Sequence, residues 1–121
     1  MSNTFPNAIS SWYGVFACEN DPEAGNGRHH YQIIGHNPDG EKDFEAQIKF
    51  QKGPLPDVGH NGILSSQLLA ILIDHLQQYQ TGPYASRETA IAITHLQEAE
   101  NWIARRANER AGRGVLGKHA K

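Results

Sequence analysis

The sequence has a single cysteine, Cys18, so no intrachain disulfide can form and a reducing compartment is expected. It has no long apolar run. The longest, Leu68 to Ile73, is about a third of what a membrane span requires. Met1 to Pro6 carries no basic stretch leading into an apolar one, so no signal peptide is expected there. A Walker loop, a glycine-rich dinucleotide fingerprint and a nucleophile elbow are all missing, so the chain is expected to be no enzyme and to need no cofactor. Asp57 and His60 lie close together but have no nucleophile beside them. Seven histidines invite a metal, yet no His-x-x-x-His or Cys-x-x-Cys spacing occurs. His29 and His30 are adjacent and in a strand would point to opposite faces. No metal site is expected. Internal repeats and low-complexity segments are absent too. These absences leave a soluble cytoplasmic binding protein as the expectation.

What is present fits one domain of 121 residues. Apolar residues make up 38% and charged residues 20%, which is globular but leaves a thin core, so burial against a second subunit would help. The net charge of −2 hides a strong asymmetry. Residues 105–121 carry six basic side chains against Glu109 alone, a net of +5. The remaining residues carry five basic and twelve acidic groups, a net of −7. A basic end on an acidic body suits an anionic partner, although a solvated tail would read the same way.

The first half reads as strands. Trp12 to Cys18 and Tyr31 to Ile34 are rich in aromatic and β-branched residues, and Phe44 to Phe50 alternates apolar and polar side chains. Asn37-Pro38-Asp39-Gly40 is a turn, and Gly53-Pro54-Leu55-Pro56 ends the sheet. A three-strand meander is expected, with room for one more strand. A helix should start near Ser65, bury Leu68, Leu69, Leu72 and Leu76 with Ile71 and Ile73 widening the stripe, and stop at Thr81-Gly82-Pro83. A second helix should run from a Ser86 cap to about Ala111, burying Ala92, Leu96, Ala99 and Ile103, with Ile93 and Trp102 packing at its flanks. The short connection makes the helices antiparallel. The expected class is α+β: a small β-rich part (1–56) and a helical hairpin with a basic tail (57–121) in one domain.

Arg106, Arg110 and Arg113 stand at i, i+4 and i+7 and so share one helix face. Their guanidinium forks suit phosphate or pyrophosphate, because each donates two parallel hydrogen bonds. Tyr79 and Tyr84 flank the Gly82-Pro83 turn, where they could stack a purine or close the hairpin core. A small nucleic-acid-binding module would use the same arginines, but the acidic first half offers no long basic footprint, so no nucleic-acid polymer is expected as partner. A purely structural multimerisation hairpin would need no ligand.

Gly53-Pro54, Gly59-His60-Asn61-Gly62, Leu68-Leu69-Ala70-Ile71, Tyr79-Gln80-x-Gly82-Pro83-Tyr84, Arg87-Glu88, Trp102-Ile103-x-x-Arg106 and Arg110-x-x-Arg113-Gly114-Val115-x-Gly117 stand in an informative order. Over about residues 50–119 they resemble the hairpin domain of phage immune-evasion sponges, the Thoeris anti-defence proteins and the shorter anti-CBASS sponges. The strand-rich first half resembles the Thoeris type. The resemblance implies a multimer, often a hexamer, acting in the host bacterial cytoplasm. It would capture glycocyclic ADP-ribose isomers, and in some members cyclic di- or trinucleotides, between protomers without degrading them. It implies phosphate contacts from Arg106 and Arg110, an aromatic contact from Tyr79 and a polar one from Thr89 after Arg87-Glu88. Arg113 and the tail from Gly114 to His119 would serve a trinucleotide site. Three positions depart from the family pattern: Thr89 replaces asparagine, Leu64 a more polar residue, and Gly117-Lys118 the usual Gly-Thr.

Overall fold

The computed structural model describes residues 3–4 and 12–112. Their fold is α+β, and the contacts divide the chain into two compact units, 1–63 and 64–121. Segment 57–63, which the sequence pattern groups with the hairpin, clusters with the strands.

The first unit is an antiparallel sheet in the order β1 (Asn3–Thr4), β2 (Tyr13–Ala17), β3 (His30–His36), β4 (Lys42–Lys49). The three expected strands are present, and the two-residue β1 is the extra one. The β3–β4 turn forms because the Asn37 carboxamide oxygen accepts from the Asp39 and Glu41 amides while Gly40 takes φ +82°. Register aligns Tyr13, Gly35 and Phe44 across three strands. A methyl group on Gly35 would meet Phe44 Cβ at 3.1 Å, so the glycine lets the Tyr13 and Phe44 rings approach edge to face, 6.4 Å apart. Val15, Ile33 and Ala46, then Ala17, Tyr31 and Ile48, continue this apolar face.

The opposite face mixes Phe16 and Ile34 with a polar cluster. Glu45 accepts from Lys42, Gln32 and Gln47, and these donors, Lys42 foremost, pull its carboxyl down from 4.5 to about 2. A depressed carboxylate stabilises the fold above its ordinary titration range and loses that contribution as the pH falls through the lowered value. An NMR titration should therefore find Glu45 still ionised at about pH 3, with its titration and the loosening of this cluster coming only near pH 2.

The Gly53–Pro56 segment closes the sheet differently from expectation. It leads into one helical turn, α1 (Leu55–Val58), because Pro54 and Pro56 occupy cap and first-turn positions that need no amide donor. Two side-chain amides then pin the following loop. Gln51 donates to the Gly53 and Gly59 carbonyls and accepts from the Asn61 amide. Asn61 receives the Lys52 amide and donates to the Lys52 carbonyl, both at 2.8 Å. Gly62 lies so close to the strand end that a Cβ there would fall 2.4 Å from the Phe50 carbonyl carbon.

The second unit is a hairpin of α2 (Ser65–Tyr79) and α3 (Arg87–Gly112). Ser65 is the first helical residue rather than the cap. The cap is Leu64, whose amide donates to the Gln67 side chain at 3.0 Å. At α3 the expected cap holds: the Ser86 hydroxyl accepts from the Thr89 amide at 3.1 Å. The Gln80 carboxamide clasps the Ser86 amide and carbonyl, tying the two helix ends together.

The packed seam is narrow. Its half-buried and buried positions are 66, 68, 69, 73 and 76 on α2, with Gln80 just past its end, and 89, 93, 96, 99, 100, 103, 107 and 110 on α3, most of them stepping by three and four. This alternation of three and four is the repeat of two helices in register. Ile73 and Ile93 are its buried centre. One seam cannot cover the broad stripes read from sequence, so Leu72 and Ala92 are exposed, as is Ile71 at 64%. Trp102, expected to pack at the flank, is instead 66% exposed.

Candidate ligand-binding site

The short turn between the helices shapes one end of the hairpin. His75 and Tyr79 are one turn apart on α2, and their rings meet edge-on with centroids 5.0 Å apart. With Gln78, Gly82, Pro83 and Tyr84 they line a cleft of about 400 Å³. Tyr79 (46% exposed) and Tyr84 (77% exposed) do not close a core here; they wall an open recess. The choice left open by sequence thus falls on the exposed side, and the rings are available to a planar guest. The sequence reading missed His75 and Gln78. The one signal for His75 was its four-residue spacing from Tyr79.

Thr89 and Arg87 belong to this same end. Thr89 is half-buried and its hydroxyl lies 2.9 Å from the Ser86 hydroxyl, so much of its bonding capacity goes to the start of α3. Arg87 is exposed in the first turn of that helix.

Arg105, Arg106 and Arg110 stand toward the other end. At about 1.5 Å per residue, Arg106 lies about 28 Å from Arg87 along the α3 axis. Arg106 is exposed, and among the described residues it enters no ion pair. Arg110, one turn further, is half-buried. Arg105 lies over the Trp102 ring, 5.1 Å from its centroid. Arg113 and the tail from Gly114 to His119 fall outside the described residues. Within one hairpin the aromatic cleft and the arginines therefore cannot touch the same small molecule.

Among the described residues no three histidine, cysteine or acidic side chains converge on a common point, and no helix is long and apolar enough to cross a membrane.

This hairpin, together with the last strand, has a counterpart in a known family. Residues 43–107, more than half of the chain, match the family model described as Acb2/Tad1, hairpin domain. The chain belongs to the Acb2/Tad1 hairpin family. A relative in Bacillus phage SBSphiJ7, named Thoeris anti-defense 1, is 43% identical over 83 residues. That alignment takes in 66% of this chain and 58% of the relative, so the chain spans less than two thirds of the relative's length. Family membership agrees with the resemblance read from the motifs between Gly53 and Arg106. The match ends one residue beyond Arg106, so it takes in the whole turn cleft and the first of the basic row.

Proposed function

We propose that this chain is a phage anti-defence protein that sequesters nucleotide immune messengers, glycocyclic ADP-ribose isomers first among them, without cleaving them. Cyclic di- or trinucleotides are further candidate guests. The observation that carries this reading is the division of the site. An open aromatic cleft at the turn suits a base, and two guanidinium groups at the far end suit a pyrophosphate, yet about 28 Å of helix separates them. Two copies laid head to tail would bring the cleft of one beside the arginines of the other. The apolar surface left uncovered supports such pairing: Leu64, Ile71, Leu72 and Ile91 are exposed on the hairpin, and a second copy would cover them. A homo-oligomer, with a hexamer as the family-type arrangement, would cover them. The relative's name, Thoeris anti-defense 1, supports the biological role, which would be played in the cytoplasm of the infected host.

Sequestration needs tight binding and slow release rather than turnover. Isothermal titration with glycocyclic ADP-ribose should give a strong, saturable signal, and heating the complex should return the ligand unaltered. Recovery of a cleaved product would make the protein an enzyme and end this reading.

A further inference from the structure

The arginine end of the hairpin carries a second aromatic surface that the turn cleft does not explain. Trp102 lies four residues before Arg106, on the same side of α3 and away from the seam. Its indole is 66% exposed even with the Arg105 guanidinium across it at 5.1 Å. An exposed indole beside guanidinium groups is a ready surface for stacking a planar guest.

Two kinds of cover differ in what they do with charge. An apolar partner surface laid over Trp102 would have to desolvate Arg105 and Arg106 as well. From residue 105 to 112 only Glu109 opposes three arginines. Burying those cations without matched anions is strongly unfavourable. A nucleotide meets both needs at once. Its base has a π-face for the indole and guanidinium, and its phosphates supply the negative charge that Arg106 lacks among the described residues.

We propose that Trp102, braced by Arg105, is the base-stacking residue at the phosphate end of the ligand site. It rests on the sequestration reading and extends it. Each bound nucleotide then meets an aromatic group at both ends of its pocket, Tyr79 at one and Trp102 at the other. Trp102 selects for a base, while Arg106 and Arg110 select only for phosphate.

The protein has two tryptophans, Trp12 and Trp102, so a Trp12→Phe background isolates the signal. In that background, glycocyclic ADP-ribose should quench the fluorescence. Trp102→Ala should weaken binding of glycocyclic ADP-ribose by about 5- to 100-fold, while inorganic pyrophosphate binds as it does to the parent protein. Trp102→Phe should keep most of the affinity. Unquenched fluorescence on saturation, full nucleotide affinity in Trp102→Ala, equal loss for nucleotide and pyrophosphate, or a native mass reduced by Trp102→Ala would each overturn the proposal; the last would mean that a second copy covers the indole. Arg106→Ala separates the two levels. If it too binds normally, the sequestration reading itself has failed; if it loses binding while Trp102→Ala does not, only the stacking role is wrong.

Discussion

With Arg106 and Arg110 both replaced by alanine, affinity for glycocyclic ADP-ribose should fall by at least two orders of magnitude. A hydrogen bond to a charged group contributes about 1.5–3 kcal/mol, so losing one from each arginine costs about 3–6 kcal/mol, or about 10²- to 10⁴-fold. The two positions are not equivalent. Arg106 is exposed, so its replacement should leave the fold untouched and report on binding alone. Arg110 is half-buried, so its replacement removes packing as well as charge. Arg110→Lys would keep the charge but lose the fork, and should recover only part of the affinity. Titration calorimetry gives the affinities, and circular dichroism of each variant shows whether the helices persist. Unchanged affinity in the double variant with intact helices would remove the phosphate end from the site.

The largest stability effect should come from Gly62→Ala, a change of one methyl group. At this position the added Cβ would fall 2.4 Å from the Phe50 carbonyl carbon and 2.6 Å from the Lys49 and Phe50 carbonyl oxygens. All three are backbone atoms, so no side chain can swing aside. Relief requires separating the loop from the strand end, where Ile63 donates to the Lys49 carbonyl and Gln51 donates to the Ile63 carbonyl, each at 2.8 Å. The cost should reach about 3 kcal/mol, the upper part of the usual overpacking range. Thermal or denaturant unfolding would measure it. A variant as stable as the parent would show that the close approach of Gly62 to Phe50 is not maintained. The Gly59-His60-Asn61-Gly62 motif thereby gains a physical meaning. Asn61 pins the loop through Lys52, Gly62 permits the contact, and no ligand is needed to explain either residue.

Much of this architecture is legible in the chain because its signals are local. Phe44 to Phe50 alternates strictly and is a strand; Asn37 to Gly40 has turn chemistry and is a turn; Thr81-Gly82-Pro83 breaks the helices where they break. What escapes is non-local or too short to have a period. The two residues of β1 and the four of α1 leave no periodic trace. The Gln51 and Asn61 clasps join residues eight to ten apart. Trp102 misleads because the helical repeat sets it beside the apolar stripe, and only the narrowness of the seam reveals that it faces out. For the candidate site, the residue types are legible in the sequence but their arrangement is not. Tyr79, Tyr84 and Thr89 gather at the turn, Arg106 and Arg110 at the opposite end, and the distance between them follows from helix length alone. His75 escaped because a lone histidine on a helix carries no sign of the cleft it lines.

The proposed division of the site between copies is tested by complementation. Tyr79→Ala alone and the Arg106→Ala/Arg110→Ala chain alone should each bind glycocyclic ADP-ribose weakly or not at all. Co-expressed and purified as mixed assemblies, they should regain a fraction of full-affinity sites in calorimetry, because some pockets then draw an intact cleft from one chain and intact arginines from the other. Mixed assemblies that bind no better than either parent variant would contradict a pocket shared between copies.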